Sequence, residues 1–281
     1  MQIWWDREFS VMVNKPFRSS STKHVPGRED LTKFFGVQEC LSLFDVRKQD
    51  MRRILVLEEQ VERFKSVLRW CGKRGLTAKT VSFDELSRFA GSEHHEGVCI
   101  EACPLPLTPM GEMLRKLADP HRAVVLLLEG VENPHNVGAI LRTACFFGVV
   151  GVVIQSQFMN SLSGSACRIA EGAAERMMIS ITKDYAKAFG SLKASGFSFF
   201  ATTPHQARSI YSVKWPDKAV VMFGAEGSGL SREALAAADT NISIPRLGQM
   251  ESLNVGASVS AVLAEARREA VMKGTVRRLS A

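Results

Sequence analysis

Residues 127–144, LLEGVENPHNVGAILRTA, open on an apolar run and close on an amphipathic one. The run starts at residue 123 as AVVLLL, without alternation, which is the pattern of a strand buried on both faces. Gly130, Asn133, Pro134 and Asn136 turn the chain, and apolar residues then recur at helical spacing over residues 137–147. The same grammar of strand, polar turn and approach to a helix recurs at residues 221–230, VMFGAEGSGL, and at residues 242–256, ISIPRLGQMESLNVG. Strands are expected at 123–128, 149–154, 177–181, 197–201, 218–223 and 241–244, and helices at 137–147, 165–172, 184–195, 231–237 and 253–272. This alternation predicts an α/β fold with a parallel sheet covered by helices on both faces. Ligands in such sheets sit beyond the C-terminal strand ends. Each quoted segment contains such an end, so three loops are expected to converge on one pocket.

Upstream, residues 30–103 read as a smaller α/β unit, with helices at 36–44, 61–71 and 83–89 and strands at 53–57, 78–81 and 98–102. Pro104, Pro106 and Pro109 hold the backbone extended and mark residues 104–109 as an interdomain linker to the unit at 110–281. Residues 1–29 are irregular and basic, with Trp4, Trp5, Lys15, Arg18, Lys23 and Arg28, and are expected to be a flexible arm.

The 281-residue chain is 46% hydrophobic, enough for a substantial core, and carries a formal net charge of +7. That charge favours an anionic partner, nucleic acid before a membrane surface. Six cysteines with no CxxC pair are neither a disulfide framework nor a metal site, so thiols and no metal are expected. Asp6, Arg7 and Glu8 interrupt any signal-peptide core, and no run reaches transmembrane length, so a soluble cytoplasmic protein is expected.

Asn136 precedes the helix at 137–147 and reads as its N-cap. Arg142 lies further along, among Ile140, Leu141, Ala144 and Phe147, where a guanidinium is either partnered or lies at the surface over a buried stem. The loop from Gly224 to Gly229 follows a strand, but its spacing is neither GxGxxG nor a Walker loop. Its glycines permit close backbone approach, and Glu226 disfavours a phosphate ligand. Ile244 ends a strand, and Ser252 and Asn254 flank Leu253 at the start of the last helix, where either polar residue can cap. Residues 246–251 form a loop between them, long enough to wrap a small molecule.

The three segments resemble the three motifs of the SpoU/TrmH family of RNA ribose 2′-O-methyltransferases in the SPOUT superfamily. NVGAILRTA, GAEGSGLS and ISIPRLG followed by SLNV match in order, spacing and flanking strands over about residues 123–270. Residues 30–103 resemble the L30e-like substrate-binding domain that often precedes this catalytic domain, on Gly36, the RILVL strand and the HHEGV turn at 94–98. His94 and His95 themselves read as a plain polar turn. The resemblance implies a deep trefoil knot over about residues 221–260, S-adenosylmethionine held by Gly224, Ile244 and Leu253, and a homodimer whose sites are completed by the partner chain. It also implies a substrate site of Asn136, Arg142, Glu226, Ser252 and Asn254. Asn136 and Asn254 would position substrate and loops, Glu226 would hold Arg142 or the ribose, and Ser252 would complete the network. Arg142 matches the family's catalytic arginine, either as base or, more easily for a guanidinium, as phosphate anchor. Gly256 stands where many relatives carry Ser.

Ribosomal RNA is the first expectation for the substrate and tRNA the second. A noncatalytic RNA-binding relative is the alternative, and a nicotinamide enzyme is disfavoured by the missing GxGxxG on the first strand. Arg267, Arg268, Lys273, Arg277 and Arg278 are either RNA contacts or a solvated helix face.

Overall fold

The computed structural model describes residues 31–118 and 123–272. The arm at 1–29 lies outside the described residues, as do Lys273, Arg277 and Arg278.

The first unit runs β1 (Thr32–Phe35), α1 (Val37–Arg47), β2 (Met51–Val56), α2 (Lys65–Gly72), β3 (Thr77–Thr80), α3 (Phe83–Ala90) and β4 (Val98–Ala102). Its sheet has the order β1-β4-β2-β3. β4 is antiparallel to both β1 and β2, whereas β2 and β3 are parallel. β1 was not expected: TKFF is too short to show a period. The HHEG turn is more than polar. His94 is exposed, but His95 is buried and packs its ring on Phe83 at 4.8 Å. The Gly97 N–H donates to His95 Nδ1, so the neutral ring carries its proton on Nε2, which faces Ser87 Oγ at 3.0 Å.

The second unit adds α4 (Met110–Leu117), β5 (Ala123–Leu128), α5 (Pro134–Phe146), β6 (Gly151–Gln155), α6 (Gly164–Ala170), β7 (Met178–Thr182), α7 (Tyr185–Ala194), β8 (Ser198–Thr202), β9 (Arg208–Ser209), β10 (Lys218–Phe223), α8 (Arg232–Ala237), β11 (Thr240–Ser243) and α9 (Val255–Met272). The seven strands lie in the order β7-β6-β5-β10-β8-β11-β9, and every pair is parallel. Side chains of β5 alternate between two cores: Val124, Leu126 and Leu128 on one face, Ala123, Val125 and Leu127 on the other. Burial on both faces is why the sequence shows an unbroken apolar run. The chain order reverses between neighbours β5 and β10, which makes the gap beyond their C-terminal ends the switch point of the sheet.

The stretch expected as a linker is a fastened strap. Leu105 and Leu107 pack against the main core, and the Thr108 N–H donates to the Ile179 carbonyl at 2.7 Å, beside β7. The two units share one continuous core, with Phe34, Val37 and Cys40 on one side and Ala166, Cys167 and Ala170 on the other. α6 presses against β1 so closely that a Cβ at Gly164 would lie 2.2 Å from the Lys33 carbonyl oxygen. Arg47 of α1 donates from Nε and Nη2 to the buried Glu175 carboxylate at 2.6 and 2.7 Å, and from Nη1 to the Cys103 carbonyl. Glu39 is also buried there and accepts from the Gly172 N–H at 3.1 Å. Burial and the neighbouring Glu175 push the Glu39 carboxyl well above the usual carboxylate range, against the opposing pull of Arg47.

Candidate active site at the sheet switch point

Three loops meet beyond β5, β10 and β11. The first enters α5, which starts earlier than expected. Asn133, not Asn136, is its N-cap, with the Asn133 side chain accepting from the His135 N–H at 2.9 Å and Pro134 in the first turn. Pro at the first helical position has its φ preset and lacks a donor that would be orphaned there, so Asn133-Pro134 sets the start. Asn136 is thereby released from capping and lies half-buried within the first turn.

The second loop folds on itself. Ala225 and Gly229 form an isolated antiparallel bridge, and the Gly229 N–H donates to the Ala225 carbonyl at 3.0 Å. Gly224 lies against this bridge, where an added Cβ would sit 2.1 Å from the Gly229 carbonyl carbon, so no larger residue fits. Glu129, just after β5, accepts from the Ser231 N–H at 2.8 Å and ties the first loop to the second. The third loop ends at Asn254, whose Oδ1 accepts from the N–H of Gly256 at 2.9 Å at the start of α9.

These loops are joined by one network. Glu226 Oε1 accepts from Asn136 Nδ2 at 3.1 Å, from Asn254 Nδ2 at 2.8 Å and from the Val255 N–H at 3.4 Å. Asn254 Nδ2 also lies 3.0 Å from Asn136 Oδ1. One carboxylate oxygen of the second segment thus gathers donors from the first and the third, and charge-assisted hydrogen bonds of this kind fix relative loop positions strongly. Ser252 is exposed and makes no hydrogen bond among the described residues, so the network closes without it. Val255 contributes its backbone to Glu226 and buries its side chain.

Arg142 is not held by Glu226. Six residues past Asn136 on α5, it lies about 9 Å along the axis and about 240° around it. Its Nη1 donates to Glu171 Oε1 at 2.8 Å, across the α5–α6 contact, with both side chains largely exposed. Glu171 follows α6 at a left-handed φ of 49°, and nothing local in the sequence marks it as a partner of Arg142. Phe146, four residues beyond Arg142 and so on its face of the helix, is 79% exposed. Leu253 is 53% exposed, Leu247 is fully exposed, and Ile244 is half-buried just beyond β11. Gly227, Gly229 and Gly248 have open space where a side chain would stand. Arg267 is committed elsewhere: its Nε and Nη2 donate to the Phe147 and Gly148 carbonyls at 2.9 and 2.6 Å, closing the end of α5, while Arg268 pairs with Glu265.

Comparisons with known proteins match both units to one family. The model of the SpoU rRNA methylase family matches residues 123–264, and that of the RNA 2′-O ribose methyltransferase substrate-binding domain matches residues 34–107. The chain is 29% identical to the "uncharacterized tRNA/rRNA methyltransferase YfiF" of Escherichia coli over 85% of its own length and 68% of the relative. It is 30% identical to the 23S rRNA (guanosine-2′-O-)-methyltransferase RlmB of Neisseria meningitidis, covering 75% of the chain and 84% of the relative. The fold matches that of the SpoU methyltransferase AviRb from Streptomyces viridochromogenes, solved with AdoMet, with a TM-score of 0.72 at 18% identity, over 87% of this chain and 92% of that one. With its two units matched in order and its three loops joined at the switch point, the chain belongs to the SpoU rRNA methylase family.

Proposed function

We infer that the chain methylates a ribose 2′-hydroxyl in structured RNA with S-adenosylmethionine as donor, with ribosomal RNA as its substrate class before tRNA. The observation that carries this is the Asn136–Glu226–Asn254 network, which joins the three family segments at the sheet switch point.

The residues fit the donor. Gly227, Gly229 and Gly248 leave open space above the loops, and Leu247 and Leu253 expose apolar side chains beside it. Gly224, Ile244 and Leu253 are the residues that would hold the donor, through backbone groups and apolar contact. When bound, S-adenosylmethionine supplies an electrophilic methyl group on a sulfonium. What remains for the protein is to align the hydroxyl and ease loss of its proton. Asn136 and Asn254 hold the loops that frame the reacting groups, and Glu226 fixes both. Ser252 lies exposed at the same edge, where it can meet the ribose. Arg142 anchors the phosphate next to the reacting ribose and polarises the hydroxyl. Its guanidinium is too weak an acid to serve readily as a base.

Arg142 points away from the Asn136 network within one chain, and an exposed Phe146 shares its face. Both features suit a homodimer in which the arginine of one subunit completes the site of the other. Sedimentation velocity tests this: Phe146→Glu should convert a dimer into a monomer, and a wild-type monomer would refute it. A trefoil knot over about residues 221–260 would hold the second and third loops together. In this reading residues 30–103 bind RNA, residues 110–281 carry out transfer, and the enzyme works in the cytoplasm with its RNA.

Calorimetric titration with S-adenosylmethionine and S-adenosylhomocysteine, followed by tritiated-methyl transfer into total rRNA and tRNA, tests the activity. Saturable binding near one site per chain and labelled rRNA are expected. Absence of binding to either compound would leave a noncatalytic RNA-binding relative.

A further inference from the structure

From Arg63 to Lys79 the chain carries Arg63, Lys65, Arg69, Lys73, Arg74 and Lys79 and no acidic residue. The whole protein has a net charge of only +7, so this short stretch holds most of the excess. It folds as α2 and the following edge strand β3. Val67 and Cys71 of α2 are buried, which leaves Lys65, Arg69 and Lys73, at four-residue spacing, as a stripe on the outer face. Arg74 lies over the Trp70 ring at 4.7 Å, and Trp70 meets Phe44 edge to face at 5.7 Å. Lys48 lies over Phe44 at 5.5 Å. Only Lys65 has an acidic partner, Glu62; Arg63, Arg69, Lys73 and Lys79 are exposed and make no ion pair among the described residues.

The helix dipole accounts for the cations at the C-terminal end of α2, Arg69, Lys73 and Arg74, but not for those at its start. Cations in a last turn complement the helix dipole, but cations at the N-terminus oppose it. Lys65 is the first residue of α2, Arg63 precedes it, the first turn has no acidic residue, and no side chain caps it. The charge therefore costs local stability at one end of the helix. The placement also has a direction. β1 and the Gly36 turn of this unit are covered, with Gly36 lying against Arg168 and β1 against α6. β3 is at the opposite edge of the sheet from β1, so the basic edge faces away from the second unit.

We propose that the α2–β3 edge, through Arg69, Lys73, Arg74 and the Trp70 face, is the surface on which the first unit grips the sugar-phosphate backbone of structured RNA. The proposal rests on the reading of the chain as an RNA methyltransferase. A row of unpaired cations neutralises phosphates without reading sequence, and an arginine stacked on an indole gives a flat cationic platform. A protein partner would need acidic groups in the same row, and charge complementarity alone selects the phosphate backbone first.

The test uses the full chain and a fluorescein-labelled RNA hairpin, with affinity read by anisotropy as KCl is raised. In the triple variant Arg69→Gln/Lys73→Gln/Arg74→Gln, the slope of log affinity against log salt should fall by about 2 to 3, with roughly tenfold or greater loss of affinity at low salt. Lys183→Gln/Lys187→Gln/Lys214→Gln, which removes three exposed cations from the second unit, should leave the slope near wild type. An unchanged slope in the first variant, or an equal loss in both, would overturn the proposal. Calorimetry with S-adenosylmethionine separates the two failures. If the methyltransferase reading is wrong, wild type binds no donor; if only the surface is wrong, donor binding persists in every variant while the RNA slope is unchanged or falls equally in both.

Discussion

Arg142 and Asn136 share α5 but not a face, and this separates two roles that the sequence had joined. Arg142→Ala should lower methyl transfer by about 100-fold or more, the range for losing a group that meets developing charge, while leaving donor affinity near wild type. Unchanged turnover would remove Arg142 from the reaction. Glu171 acts only through Arg142. Their side chains are 58% and 45% exposed, so the pair is worth at most about 1 kcal/mol. Glu171→Ala should therefore slow transfer no more than about fivefold. A loss as large as that of Arg142→Ala would mean that Glu171 touches substrate itself. The residue types of the site were legible, since Asn, Glu and Gly at strand ends are unusual enough to single out. Their pairing was not. Glu226 was expected on Arg142 or the ribose; within the chain the register of three loops places it on Asn136 and Asn254, away from Arg142. Separations of 90 and 28 residues carry no local trace of which pair closes.

At the scale of elements, α5 is the test case. Its start at Pro134 means that Asn133 satisfies an orphaned backbone donor and Asn136 does not. Asn133→Ala should cost about 1 kcal/mol of stability. Asn136→Ala should cost less in a denaturant titration but more in turnover. Equal stability losses would return the cap to Asn136. The elements read most accurately from sequence were those buried on both faces. β4, β5 and β10 fall at the expected residues 98–102, 123–128 and 218–223, because largely apolar runs of strand length bounded by turn residues favour a strand over a helix. β1 and β9 escaped because a four-residue and a two-residue strand show no period; pairing, not propensity, makes them strands. α4 escaped because Pro104, Pro106 and Pro109 dominate the local signal, although Pro109 is its N-cap.

At the scale of the whole molecule, the two units are bound by a buried cluster of two carboxylates and one guanidinium. Arg47 satisfies Glu175 in a forked pair, which leaves Glu39 beside a second negative charge with Oε1 lacking a donor among the described residues. A proton on Glu39 removes the like-charge repulsion and supplies a hydrogen for Glu175. Burial drives the same result, since an unpaired carboxylate is costly in a core. The sign of the pH effect follows. Unfolded, Glu39 ionises near about pH 4.3; folded, it holds its proton to higher pH. Between those values the folded state binds more protons, so Glu39 makes stability fall as pH rises and contributes nothing below the unfolded value. His95 has the opposite sign. Burial lowers its pKa, so it erodes stability as pH falls through about 6.5. Comparing wild type with Glu39→Gln cancels the histidine. Glutamine keeps an acceptor for the Gly172 N–H and gives Glu175 a permanent donor. Glu39→Gln should match wild type below about pH 4 and exceed it increasingly as pH rises above that, both in denaturant midpoint and in hydrogen-exchange protection of the Gly172 amide. A gap independent of pH, or a variant weaker throughout, would mean that Glu39 is ionised in the folded protein and that Arg47 neutralises both carboxylates.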